Sequence, residues 1–171
     1  MRRSGFTLIE ISAVLAIGAT LTLSAAVCLR GPFQSARFES TVERVVALER
    51  QSRDHSRRLG RSVDLIVDVD TGLLTSADSQ TNNVLQRLLV GRATIVECLV
   101  LGRTRTHTGA TTISISERGR TTTYALHLRG PAAQSVWLVV AGITGQVVRM
   151  KEDDEVKTLL TLLESPGANA H

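Results

Sequence analysis

The chain has 171 residues, 43% of them apolar and 21% charged, a globular balance that leaves room for one ordinary domain. Its net charge of +4 and pI near 9.8 do not imply nucleic-acid binding, because Arg2 and Arg3 supply two of the charges ahead of an apolar run. The aromatic residues stop at Phe6, Phe33, Phe38, Tyr124 and Trp137, so an aliphatic core is expected. Cys28 and Cys98 both lie in apolar stretches. They form neither a metal-binding pair nor a disulfide framework.

Phe6 to Leu29 is a run of 24 residues with one charge, Glu10. As a helix it would rise about 36 Å, enough to span a bilayer. Ser24-Ala25-Ala26 imitates the cleavage site of a secretory signal peptide, but Glu10 argues against that reading. A carboxylate at bilayer depth costs a few kcal/mol unless paired, so its place in the run asks for a partner. If the chain were cut between Gly5 and Phe6, the new terminal ammonium of one subunit would meet Glu10 of a neighbour inside a helical bundle, and each charge would neutralise the other.

Ser4-Gly5-Phe6-Thr7-Leu8-Ile9-Glu10, after the short basic leader Arg2-Arg3, resembles the cleavage and methylation motif of type IV prepilins and pseudopilins. The resemblance implies that a prepilin peptidase and methyltransferase cuts between Gly5 and Phe6 and methylates Phe6. It also implies that Glu10 serves subunit register and assembly. The leader arginines suit a cytoplasmic N-terminus, which would place the remainder of the chain in the periplasm. Many members of the family carry a proline within this helix, whereas the first proline here is Pro32.

Gly31-Pro32 reads as a break. Beyond it, Phe38, Val42, Val45 and Leu48 recur at helical spacing, with Glu39, Glu43 and Arg44 between them, the pattern of an amphipathic stem helix. The basic run Arg50, Arg53, Arg57, Arg58 and Arg61, with His55 inside it, reads as a solvated face. From Arg61 the period becomes two. Val63, Leu65, Val67 and Val69 share one strand face, Asp64 and Asp68 the other, before a turn at Asp70-Thr71-Gly72. Ser76 to Asn83 reads as a polar loop, and Val84 to Val90 as a helical turn or a buried strand. Antiparallel strands are expected at Thr94 to Leu101, Thr111 to Ser116, Thr121 to Leu128, Val136 to Val140 and Gln146 to Met150. Hairpin turns are expected at Glu117-Arg118-Gly119-Arg120 and Ile143-Thr144-Gly145. A helix followed by strands that end in this Thr-Gly turn and Val147-Val148-Arg149 resembles, in outline, the minor pseudopilin H of type II secretion and its relative FimT.

His55, His107, His127 and His171 are scattered, and no phosphate loop, serine elbow or Cys-His pair stands in the chain. No metal, cofactor or enzymatic activity is expected. Asp64, Asp68 and Asp70 read as a strand edge and not a calcium loop. Glu152-Asp153-Asp154-Glu155 reads as a solvated turn or the start of a tail helix.

The expected protein is α+β and pilin-like: a leader over 1–5, a transmembrane and polymerisation helix over 6–29, its amphipathic continuation over 30–60, an antiparallel β domain over 61–150 and a tail over 151–171. The function implied is that of a minor pseudopilin of a type II secretion system. It would be a single-pass protein of the bacterial inner membrane, with other pseudopilins or pilins, the prepilin peptidase and an inner-membrane assembly platform as partners. No nucleic-acid partner is expected. Two alternatives stay open, a minor type IV pilin for pilus assembly or DNA uptake and a membrane-anchored periplasmic binding module or enzyme.

Overall fold

The computed structural model describes the backbone of residues 8–91, 93–102, 105–131, 134–151, 155–156 and 158–159, and the side chains of the same residues save 25–32. A helix of 52 residues, α1 (Leu8–Leu59), leads into eight strands. These are β1 (Val63–Asp68), β2 (Leu73–Asp78), β3 (Val84–Leu89), β4 (Thr94–Val100), β5 (Ala110–Ile115), β6 (Tyr124–Arg129), β7 (Ser135–Val140) and β8 (Val147–Met150). They form two antiparallel sheets, ordered β3-β2-β1-β5 and β4-β6-β7-β8. The fold is therefore α+β, an N-terminal helix packed on antiparallel sheets.

The expected break at Gly31-Pro32 is absent, for α1 runs through both residues. Proline's fixed φ is itself helical, and its cost inside a helix, about 3 kcal/mol, comes from one lost hydrogen bond and from crowding of the carbonyl four residues back. Long helical segments on either side outweigh that loss once nucleation is past. The amphipathic pattern beyond it is realised as read. Phe38, Val42, Val45 and Leu48 are buried, while Glu39, Glu43 and Arg44 are exposed.

These four residues and Val46 enter one core with Leu65 and Val67 of β1, Leu74 of β2, Ile113 and Ile115 of β5, and Leu126, Leu128, Leu138 and Val140 of the second sheet. Helix and both sheets thus share a single aliphatic interior. Each such side chain contributes roughly 1.5–3 kcal/mol through burial. The two-residue period of the strands is explicit in β6 and β7. Leu126, Leu128, Leu138 and Val140 face that core, and Ala125, Trp137 and Val139 face the opposite way into a second cluster. Leu99, Val156 and Leu159 complete this cluster, so the segment after β8 covers the outer face of the second sheet. Trp137 and Tyr124 are the largest fully buried side chains, and with Phe38 they are the aromatic members of an interior built mainly from aliphatic residues.

Two readings of the strands are corrected. Leu73–Asp78, half of which reads as loop, is the strand β2, paired with both β1 and β3. Its polar composition misleads because Ser76 is buried against α1, where Ser52 Oγ lies 2.9 Å from Ser76 Oγ and also donates to the Leu48 carbonyl. Asp78 then closes the next turn by accepting from the Gln80 and Thr81 amides, bonds that hold its carboxyl below the usual range, with Arg61 nearby. The turn at Glu117–Arg120 forms, with Gly119 at φ 71°, yet it joins no hairpin. β5 pairs with β1, whereas β6 pairs with β4 and β7. It is a corner between sheets. The Ile143-Thr144-Gly145 turn does join a hairpin, β7 to β8.

The basic run on α1 is not uniformly solvated. Arg53 is buried in an ion pair with Glu49 one turn earlier, and its Nη1 donates to the carbonyls of Gly119 (2.8 Å) and Gly142 (3.0 Å). Arg57 Nε donates to the Arg118 carbonyl at 3.3 Å. At Gly119 the positive φ already disfavours any other residue, and a Cβ there would also have to displace the Arg57 guanidinium, 2.5 Å away at Nε. Burial pushes the Glu49 pKa up while Arg53 pulls it down. Removing one partner strands the other charge in the interior, a loss of about 3–5 kcal/mol. Arg53→Met should lower the stability of the detergent-solubilised chain by about that much, read from its urea midpoint. Adding Glu49→Gln should recover most of the loss. Equal stability of Arg53→Met and the native chain would show that the pair holds nothing together.

Candidate functional site

The bare part of α1 is the feature the domain does not account for. Leu8, Ile9, Ile11, Val14, Leu15, Ile17, Leu21 and Leu23 are all exposed, from 52% to 85%, and the first α1 residue in the core is Phe38. From Leu8 to Phe38 the helix extends about 45 Å at 1.5 Å per residue. An isolated helix that is apolar on every side is not stable in water and needs lipid or other helices around it. Its hydroxyls are already satisfied. Ser12, Thr20, Thr22 and Ser24 each donate to a carbonyl three or four residues back, at 2.6–2.9 Å. Such internal bonds let polar side chains enter an apolar surrounding without unmet donors.

Glu10 lies in the first described turn of α1 and is exposed. Helical spacing puts it in one row with Val14, Ile17 and Leu21, so the carboxylate caps an apolar stripe. The helix dipole favours an anion at that end. Gly5 and Phe6 lie outside the described residues.

At its other end α1 is braced. Arg149 of β8 pairs with Glu39 and, at 2.6 Å, with Glu43, and Gln134 Nε2 donates to Ser35 Oγ at 2.9 Å. With Glu49 and Arg53, these contacts tie the helix to the sheets from residue 35 onward.

Several other polar residues serve the fold. Asp64 accepts from Ser114 Oγ (2.7 Å), Asp68 from the amides of Asp70 and Thr71, and Asp70 from the amide of Gly109 (2.8 Å). Hydrogen bonds from the Thr71 side chain and amide hold the Asp68 carboxyl below its usual range. His55 is exposed. His107 and His127 meet, unannounced by any local motif, on Glu97, at 3.4 and 3.7 Å, together with Arg105 at 3.3 Å. Residues 97, 107 and 127 are too far apart in the chain to register as a motif, and only the pairing of β4 with β6 joins Glu97 to His127. His127 also stacks on Trp137, centroids 4.4 Å apart, and lies 2.6 Å from Ser135 Oγ. A guanidinium thus occupies the carboxylate. Among the described residues no group of three or more His, Cys, Asp or Glu could hold a metal ion. Cys98 is a free, buried thiol whose pKa burial pushes up to about 12, which makes it unreactive. The side chain of Cys28, all of His171 and positions 152–154 of the acidic run lie outside the described residues.

Residues 1–26 match the family model of the prokaryotic N-terminal methylation motif. No curated protein and no solved structure matches the chain. The match supports a type IV pilin-like protein, processed as a prepilin and assembled with other pilins. Among the described residues no helix is long and apolar enough to cross a membrane. The side chains described in the apolar run extend only from Leu8 to Ser24, short of the ~20 residues a crossing needs.

If the bare half of α1 serves assembly and not the monomer's core, Val14→Ser with Leu21→Ser should leave the unfolding free energy of the detergent-solubilised chain, read from its urea midpoint, within about 0.5 kcal/mol of the native value. The same pair should reduce self-association in cross-linking. A large fall in the midpoint would mean that these residues pack on the domain.

Proposed function

We propose that the chain is a minor pseudopilin of a type II secretion system, a structural subunit of a periplasmic pseudopilus. The observation that carries this reading is the bare apolar helix with one carboxylate near its start, inside a matched methylation motif. Prepilin peptidase cleaves between Gly5 and Phe6 and methylates the new terminus. The apolar run anchors the chain in the inner membrane, with Arg2 and Arg3 on the cytoplasmic side and the sheets in the periplasm. On assembly, Glu10 meets the terminal ammonium of a neighbouring Phe6. An unpaired carboxylate at bilayer depth costs about 2.5–3.5 kcal/mol on insertion scales. Pairing removes that cost only when the two helices adopt one stagger, and the electrostatics therefore set the register of the filament. The hairpin of β7 and β8, turning at Gly145 and followed by Val147-Val148-Arg149, favours the pseudopilin over the pilin reading through its resemblance to pseudopilin H.

Gly5→Ala should block cleavage and leave a full-length precursor on a denaturing gel. Glu10→Ala should be cleaved normally and should reduce pseudopilus formation at least tenfold when subunits are overexpressed with the assembly platform. Normal filaments from cleaved Glu10→Ala would remove the proposed role of the carboxylate.

A further inference from the structure

Two clefts open along one side of the domain, both between α1 and β3. The first, about 350 Å³, is lined by Arg37, Phe38, Thr41, Arg44, Leu89 and Pro131 among others. The second, about 340 Å³, is lined by Gln51, Ser52, His55, Arg58, Leu85 and Gln86, with Asp54 as its one acid. The helix residues rise from the first cleft to the second as the strand residues fall, so the clefts follow one another along β3.

The groove is basic. Arg37, Arg44 and Arg58 are separated by multiples of seven residues and so share one side of α1, spaced about 10 Å per heptad. All three are exposed, and none has a carboxylate within ion-pair distance among the described residues. Asp54 is already paired with Arg57 at 3.7 Å.

The groove is also bordered by an open strand edge. β3 ends its sheet, with β2 on one side and no strand on the other. Val90 donates to the Gly72 carbonyl at 3.0 Å. In the same register, Leu74 opposite Leu88 and Ser76 opposite Gln86 are the hydrogen-bonded pairs, while Leu73 opposite Leu89 and Thr75 opposite Arg87 are not. The amides and carbonyls of Arg87 and Leu89 therefore point away from β2 toward the vacant edge. Val84 and Leu89 expose their apolar side chains there, at 46% and 58%. Such an edge is a template for another strand.

We propose that this groove binds an extended, carboxylate-bearing segment of another polypeptide. The segment adds a strand to β3 through Arg87 and Leu89 and sets its acids against Arg37, Arg44 and Arg58. Backbone pairing supplies a sequence-independent grip and the arginines select for charge. A strand of ten residues would span about 33 Å, close to the ~32 Å of helix between Arg37 and Arg58. The outward amides fit a polypeptide and not a nucleic acid, and no Phe, Tyr or Trp among the groove's lining residues is exposed for bases to stack on. This inference does not depend on which secretion or pilus machine the chain serves.

The test is fluorescence anisotropy with the full chain in non-ionic detergent and a labelled ten-residue peptide alternating threonine and glutamate. A threonine–lysine peptide and a ten-nucleotide oligothymidylate serve as comparisons. The expected result is binding of the glutamate peptide alone, weakened by raising salt from about 50 to 200 mM. Arg37→Glu with Arg44→Glu should weaken it at least tenfold, and Arg120→Glu, on the corner between β5 and β6, should not. Bound peptide should slow amide exchange at Arg87 and Leu89, and Leu89→Pro, which spares the β2 ladder, should also weaken binding at least tenfold. Failure of the glutamate peptide to bind, binding unchanged in the double arginine variant, or unchanged exchange at Arg87 and Leu89 would each overturn the proposal. So would oligothymidylate binding through the same arginines.

Discussion

One continuous helix has to satisfy two different surroundings, and the structure is organised around that demand. From Leu8 to Leu23 its apolar side chains find no cover in the domain, while from Phe38 to Leu48 they form the floor of the core. No hinge divides the halves, since α1 continues through Gly31 and Pro32. Whatever surrounds the first half is thus connected through a stiff rod to the packing of the second. A single carboxylate in the bare half, Glu10, turns an otherwise uniform apolar surface into one with a preferred position.

The braced half explains how that rod holds a domain of two sheets. The chain passes between the sheets on the way from β3 to β4, from β4 to β5 and from β5 to β6, and the corners so created leave backbone carbonyls to be satisfied. Arg53 reaches one of them, Gly119 at the β5–β6 corner, and also the Gly142 carbonyl in the β7–β8 turn, while Glu49 balances its charge. Nearer the bare half, Arg149 holds the edge strand β8 to Glu39 and Glu43. The solvent-facing pair contributes little alone. The buried one contributes more because its loss leaves a charge without a partner.

Much of this was legible in the residues. The period of 3.6 from Phe38 to Leu48 and the period of two from Val63 to Val69 were sufficient for the core-facing part of α1 and for β1, and Gly145 marked the β7–β8 turn, whereas Gly31-Pro32 reads as a break that the continuous helix does not have. Where reading failed, the cause was a tertiary contact invisible to local pattern. Ser76 looked like loop because its partner, the Ser52 hydroxyl, lies 24 residues away on the helix. Arg53 looked solvated because the carbonyls it serves come from turns 66 and 89 residues downstream. The Glu117–Arg120 turn was recognisable, but turn chemistry does not say which strands it will pair. At the candidate site the position is reversed. The order Gly5-Phe6 followed by Glu10 was readable as a motif, and the family match covers it, whereas Gly5 and Phe6 lie outside the described residues. The gathering of Glu97, His107 and His127 needed the pairing of β4 with β6 to become visible.

The central claim is that this chain is a prepilin whose mature form begins at Phe6, with its charged terminus available to Glu10. The most direct test is the intact mass and N-terminal residue of the membrane-extracted protein, expressed with and without a prepilin peptidase. The account predicts a peptidase-dependent product that starts at N-methylated Phe6. A chain that keeps Met1 in the presence of the peptidase, or one cut near Ala26, would contradict it.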